Sequence, residues 1–153
     1  MEIEKAIQTA MDYETKIRDI YRDAFQKVSD PEGKRFFKMM EDDEQHHLEY
    51  LKHRLDLWQK TGQLSAEKLE SSVPSKEIIQ RETKKVEAHM AQKDLSSVKI
   101  ILSRALKAEV ETGNFYKNLV NEMTDEGQKM FARFLEIEEN HIAAVQAELD
   151  YIT

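Results

Sequence analysis

The feature that most constrains this chain is its shortage of turn-formers: only 4 Gly and 2 Pro in 153 residues. A sandwich or a βαβ succession needs punctuation every dozen residues or so, and this chain cannot supply it. Long helices remain, and the apolar pattern agrees. Apolar residues recur at steps of three and four in four segments, the mark of helices presenting one stripe to a core. The expected helices run from about Ile3 to Val28, from Pro31 to about Lys60, from about Leu95 to Met123, and from after Thr124-Asp125-Glu126-Gly127 to near Ile152. In the turn Ser29-Asp30-Pro31-Glu32-Gly33, Asp30 suits an N-cap and Pro31 the first helical position. The 35% of charged residues would suit disorder, but 40% hydrophobic residues at regular spacing argue for a packed, all-α domain over 1–153.

Short turns between long helices predict two antiparallel hairpins, about 2–60 and 95–152. The crossover, about 61–94, is too long for a tight turn and carries Gly62, Ser71, Ser72 and Pro74. Beyond Pro74, Lys76 to Gln92 reads as a short outer helix with a weak stripe of Ile78, Ile79, Val86 and Met90. The expectation is a four-helix bundle with one long crossover.

Several function classes fall away early. A net charge of −7 disfavours nucleic acid and anionic membrane as partners, since both call for a basic face. Without Cys there is no disulfide, zinc ribbon, iron–sulfur cluster or thiol chemistry. No apolar run approaches the ~20 residues of a membrane span. The start, Met1-Glu2-Ile3-Glu4-Lys5, lacks a signal-peptide core, so a soluble, cytoplasmic protein is expected.

The two hairpins repeat one another. Ala10 to Tyr21 aligns with Ala105 to Tyr116, and Glu32, Gly33, Glu44 and His47 align with Glu126, Gly127, Glu138 and His141. Helices resemble one another generally, but here the shared positions include polar residues inside the apolar stripe. The stripes read Ile3, Ile7, Ala10, Glu14, Ile17, Tyr21 in the first helix and Phe37, Met40, Glu44, His47, Leu51, Leu55, Trp58 in the second. They continue as Leu102, Ala105, Glu109, Thr112, Tyr116 in the third and Phe134, Glu138, His141, Val145 in the fourth. Each helix therefore carries a Glu in mid-seam, and two add a His one turn later.

An unpaired buried carboxylate costs several kcal/mol. Four on facing helices would repel one another and drive their pKa values up. Lys and Arg are missing from those stretches of seam, which points to compensation from outside the chain. Two divalent cations balance four glutamates with both His neutral. Each Glu-x-x-His places its two side chains on one helix face. Oxygen plus imidazole donors suit iron or manganese better than calcium or a thiolate zinc site. A single Glu-x-x-His is a weak signal; two in matching arms of a repeat, each facing a seam Glu, is a specific one. The competing reading is a buried hydrogen-bonded polar layer that specifies helix pairing.

Glu14, Glu44-x-x-His47, Glu109 and Glu138-x-x-His141, with Tyr21 and Tyr116 each seven residues after a Glu, resemble the rubrerythrin branch of the ferritin-like di-iron carboxylate proteins. The resemblance spans essentially the whole chain. It implies a ferritin-like four-helix bundle with two iron ions as cofactors, manganese or zinc being alternative occupants. Glu44 and His47 would serve one ion, Glu138 and His141 the other, and Glu14, Glu109 or both would bridge. It implies an oxidoreductase acting on peroxide or dioxygen, and that Tyr21 and Tyr116 hydrogen-bond to ligand carboxylates; the plainer reading makes them core aromatics with a polar tip. Full rubrerythrins add a rubredoxin domain with cysteines, absent here, so electrons would come from a separate electron-transfer protein. Peroxide-reducing members also carry an extra ligand Glu where Thr112 stands. Both departures favour, as the alternative function, an iron-binding or sequestering protein without turnover. Related bundles pair or exchange helices, so a homodimer is compatible with the sequence, which does not choose between a monomer with its own site and a dimer whose swapped hairpins build each site.

Asp43, just before Glu44, is a candidate to orient His141, as ligating His requires. The repeat has Ile137 at that place, so such support would be one-sided. His46 and His53 are expected on the surface, and His89 in solvent along the crossover. Glu41-Asp42-Asp43 reads as a solvated acidic face. Gly113 inside the third helix invites an explanation by close helix packing.

Overall fold

A computed structural model of the chain describes residues 1–64, 68–82 and 95–152. These form five α-helices: α1 (Ile3–Lys27), α2 (Pro31–Thr61), α3 (Lys76–Glu82), α4 (Leu95–Glu122) and α5 (Asp125–Ile152). There is no strand among the described residues. The boundaries follow from local chemistry. Asp30 accepts a hydrogen bond from the Gly33 backbone N–H at 2.9 Å, and Pro31 opens α2 where a missing N–H costs nothing. Gly62 ends α2 in the left-handed region at φ 69°, its N–H donating to the Trp58 carbonyl, a conformation only glycine adopts cheaply. Ser75 caps α3 through its side chain and its carbonyl. The outer helix is described only to Glu82; Val86, His89 and Met90 lie outside the described residues.

Cross-helix contacts fix the directions. On α1 and α2, Gln59 bonds Glu4, Arg18 bonds Gln45, and Arg22 pairs with Glu41 at 2.9 Å, an antiparallel register. On α4 and α5, Tyr116 packs against Phe131 and Phe134 near the turn, while the Gly113 position lies beside Glu138 and Ile142. Tyr13 stacks on Phe115, with centroids 4.8 Å apart, and Lys16 pairs with Glu111, so α1 also runs antiparallel to α4. The α2 and α5 backbones approach less closely. The chain around Leu69–Lys76 bridges that side: Arg133 of α5 donates to the Leu69 carbonyl, and the Lys76 N–H donates to the Asn140 side chain.

The core falls into two apolar clusters. One gathers Ile17, Tyr21, Phe37, Met40, Leu102, Ala105 and Val145; the other gathers Ile7, Ala10, Leu51, Tyr116, Leu119, Phe131, Phe134 and Ile137. Every long helix passes from one to the other, and its polar seam residues lie at the crossing.

The second seam departs from the expected stripe. Leu55 and Trp58 are only half-buried, while Arg54 is fully buried with its guanidinium 4.6 Å from the Tyr50 ring centroid. The seam of α2 is therefore not free of cations along its whole length. Arg54 lies two turns beyond His47 and is buried, while Leu55 packs at the edge of the same cluster.

Gly113 is not required by close packing. A Cβ there would meet Ile142 Cδ1 at 3.7 Å and Glu138 Cβ at 3.9 Å, both ordinary contacts. Gly113→Ala is expected to raise the unfolding free energy by about 0.5–1 kcal/mol, measured by urea denaturation, by removing a helix-interior glycine. Asp30→Ala is expected to lower it by about 1 kcal/mol through loss of the α2 cap.

Candidate metal centre

Glu14 of α1, Glu44 and His47 of α2, Glu109 of α4, and Glu138 and His141 of α5 all meet in the layer between the two apolar clusters, and all are 0% exposed. The helical periods put them there. Ala10 and Ile17 flank Glu14, Met40 and Leu51 flank the α2 pair, and Phe134 and Val145 flank the α5 pair, each helix contributing an apolar turn on either side. All six residues come from one chain.

Donor atoms of Glu14, Glu44 and His47 lie within 4.8 Å of one another, and so do those of Glu44, Glu109, Glu138 and His141. Glu44 belongs to both groups. Asp43, His47 and His141 form a third such group. His141 Nδ1 stands 2.6 Å from Glu44 Oε1 and 3.0 Å from Glu109 Oε2, and His47 Nδ1 stands 4.0 Å from Glu44 Oε2. Two donors each about 2.1 Å from one ion and at right angles are about 3 Å apart, so the His141 spacing is near that of ligands around a common cation.

The layer is electrically unfinished. No aligned hydrogen-bond partner reaches either carboxylate oxygen of Glu44, Glu109 or Glu138, Oε2 of Glu14, either ring nitrogen of His47, or Nδ1 of His141. Buried polar atoms in folded proteins are ordinarily paired, and an orphaned ion is costlier than an orphaned amide. In the metal-free chain the relief comes from protons. Burial, then the charge of Glu44, pushes the Glu14 carboxyl well above its usual range. Burial and the charges of Glu109, Glu14 and Glu44 do the same to Glu138. Glu44 and Glu109 are also raised, chiefly by burial, against the lowering pull of His141. Burial pushes His47 down to about 4. It opposes charge on His141 too, but Glu109, Glu44 and the Asp43 hydrogen bond outweigh it and raise that imidazole.

Around the layer, Tyr116 donates its hydroxyl to Glu14 Oε1 at 2.7 Å. Tyr21, its counterpart in the repeat, is fully buried with a hydroxyl that has no hydrogen-bond partner, so the implied pair of tyrosine–carboxylate bonds is present on one side only. Thr112 is buried and turns its hydroxyl back to the Ala108 carbonyl at 2.8 Å. Asp43 Oδ2 lies 2.7 Å from His141 Nε2 and 3.4 Å from His47 Nε2. Ile137, at the matching place, is buried in the apolar cluster, so the support is one-sided.

Glu41-Asp42-Asp43 is not a solvated face. Only Asp42 is exposed, while Glu41 is buried against Arg22 and Asp43 against the imidazoles. A helix turns 100° per residue, so three consecutive acids cannot share one face. His46 and His53 are exposed. Sequence reasoning missed Ser71 and Ser72, which both bond Asp43. Two adjacent serines in a crossover carry no periodicity to announce that.

The donor set, four carboxylates and two imidazoles in a dry layer with orphaned donor atoms, fits a pair of divalent ions with mixed oxygen and nitrogen preference. Compared with protein-family models, with curated proteins and with solved structures, the chain finds no match in any of the three. No helix among the described residues is long and apolar enough to cross a membrane.

The pKa directions set a pH dependence for the metal-free chain. Four Glu and His141 bind protons more tightly folded than unfolded, so their contribution is full at acid pH and is lost as pH rises through their raised values. His47, lowered to about 4, acts oppositely below pH ~6.5 but is one group against five. The metal-free melting temperature is expected to be higher at pH 5.5 than at pH 8, as read by circular dichroism. Glu138→Gln, a neutral isostere, is expected to stabilise the metal-free chain at pH 8 by about 1–3 kcal/mol. A destabilised Glu138→Gln chain would contradict the buried-charge account.

Proposed function

We propose that this is a ferritin-like, rubrerythrin-like four-helix bundle whose centre holds two iron ions, and that it acts as a non-haem oxidoreductase reducing peroxide or dioxygen. The observation that carries this reading is the set of orphaned carboxylate oxygens and imidazole nitrogens in one buried layer, a cost that a chain without cations offsets only by taking up protons. Glu14, Glu44 and His47 would hold one ion, and Glu109, Glu138 and His141 the other, with Glu44 in reach of both. Iron held by these residues would supply the electron pair that reduces peroxide or dioxygen.

The chain's own residues do the rest. Tyr116 fixes the orientation of Glu14 through its hydroxyl. Ile17, Leu51 and Phe134, all 0% exposed, bound the layer above and below and keep bulk water from it. Protons held on Glu14, Glu138 and His141 in the metal-free chain leave as cations take their place. These 153 residues hold no Cys, and an electron-transfer protein would be the source of the electrons that restore the ferrous state.

Thr112 favours a second reading, iron sequestration without turnover. Its hydroxyl is committed to the Ala108 carbonyl, and no extra carboxylate enters the layer from that turn. Rapid mixing of ferrous-loaded protein with peroxide or dioxygen separates the two. Turnover predicts ferric absorption growing within seconds and reversed by an added reductant through repeated cycles. Sequestration predicts slow oxidation and no cycling. Failure to bind two divalent ions per chain, measured by metal analysis, would remove both readings.

A further inference from the structure

Asp43 has more partners than orienting one histidine requires. Its Oδ1 accepts from the Ser72 N–H at 2.8 Å and the Ser72 hydroxyl at 3.1 Å. Its Oδ2 accepts from the Ser71 hydroxyl at 2.7 Å, lies 2.7 Å from His141 Nε2, and faces His47 Nε2 at 3.4 Å. Both oxygens of Asp43 are thus engaged by the crossover serines and by His141. With Nε2 against Asp43, the His141 ring turns its Nδ1 toward Glu44 and Glu109, at 2.6 and 3.0 Å.

The segment that holds Asp43 is itself anchored on both sides of the layer. Leu69 is buried in one apolar cluster and Val73 in the other, so Ser71 and Ser72 fall at the level of the glutamates. Arg133 donates to the Leu69 carbonyl at 3.1 Å, the Lys76 N–H donates to Asn140 Oδ1 at 2.9 Å, and Lys76 pairs with Glu139. The crossover thus lies across the side where α2 and α5 stand apart.

We propose that Asp43 is a positioning residue for His141 and that Ser71 and Ser72 hold it in place, so that the crossover sets how His141 presents Nδ1 to the centre. This rests on the metal-binding reading above and adds to it a dependence on a segment that supplies no ligand. The support is one-sided, because the repeat has Ile137 where a second aspartate would stand.

The test is titration of the metal-free full chain with cobalt(II), followed by its visible absorption, alongside melting of each metal-free variant. Asp43→Asn and the double variant Ser71→Ala/Ser72→Ala are expected to weaken cobalt binding by ~10–100-fold and to change the band pattern. Ser71→Thr/Ser72→Thr, which keeps both hydroxyls, is expected to restore affinity and bands, and Asp42→Asn, on the exposed neighbour, to change neither. In the zinc-loaded wild type, 15N NMR is expected to show His141 protonated on Nε2. Wild-type binding with unchanged affinity and bands in the Asp43 and Ser71/Ser72 variants would overturn the positioning role and leave the metal reading standing. A proton on Nδ1 of zinc-loaded His141 would do the same, as would loss of affinity matched by equal loss of metal-free stability with unaltered bands. A wild type that binds neither cobalt nor zinc would overturn both.

Discussion

The meeting of four carboxylates and two imidazoles in a layer with no exposure is the constraint on which the rest of the structure depends. Two apolar clusters supply the burial that holds four long helices together, and the same burial strips the polar layer of water. Hydrophobic packing and charge desolvation therefore act on the same residues in opposite directions. In the metal-free chain, protons on the carboxyls and on His141 relieve the conflict. A pair of cations would relieve it at neutral pH without them.

The internal repeat does not produce a symmetric centre. Glu14 accepts from Tyr116, whereas the Tyr21 hydroxyl has no partner. Asp43 bonds His141 of the other arm, and its counterpart Ile137 packs in the core. Glu44 stands in two of the three candidate donor groups. The crossover touches both hairpins, but through different chemistry: Asp43 of α2 takes its serine hydroxyls, while Arg133 and Asn140 of α5 take its backbone. Two similar arms have thus taken different duties, with the proton economy of His141 unlike that of His47.

The helices and the six polar seam residues were legible because they are matters of spacing. A Glu every helix, flanked at three and four residues by Ile, Met, Leu or Phe, cannot be placed on a solvent face without exposing its neighbours. Asp30, Pro31 and Gly62 marked helix ends through backbone chemistry that acts over four residues. Arg54 was not legible. Its burial goes with the Tyr50 ring beneath its guanidinium, a contact that spacing does not announce. Nor was the burial of Glu41, which follows from the reach of Arg22 on another helix.

By itself, then, the sequence determined that the chain is helical, where the long helices begin and end, and that each brings one carboxylate to the seam, with a His beside two of them. These follow from periodicity and caps, which are local. Only the tertiary structure decided that Glu44 is shared between two donor groups, that one tyrosine and not the other reaches a carboxylate, and that Ser71 and Ser72 bond Asp43 across the gap between α2 and α5. Those outcomes depend on distances between residues 28 to 102 positions apart in the chain. No local pattern encodes such distances, because helix crossing and the path of the crossover set them.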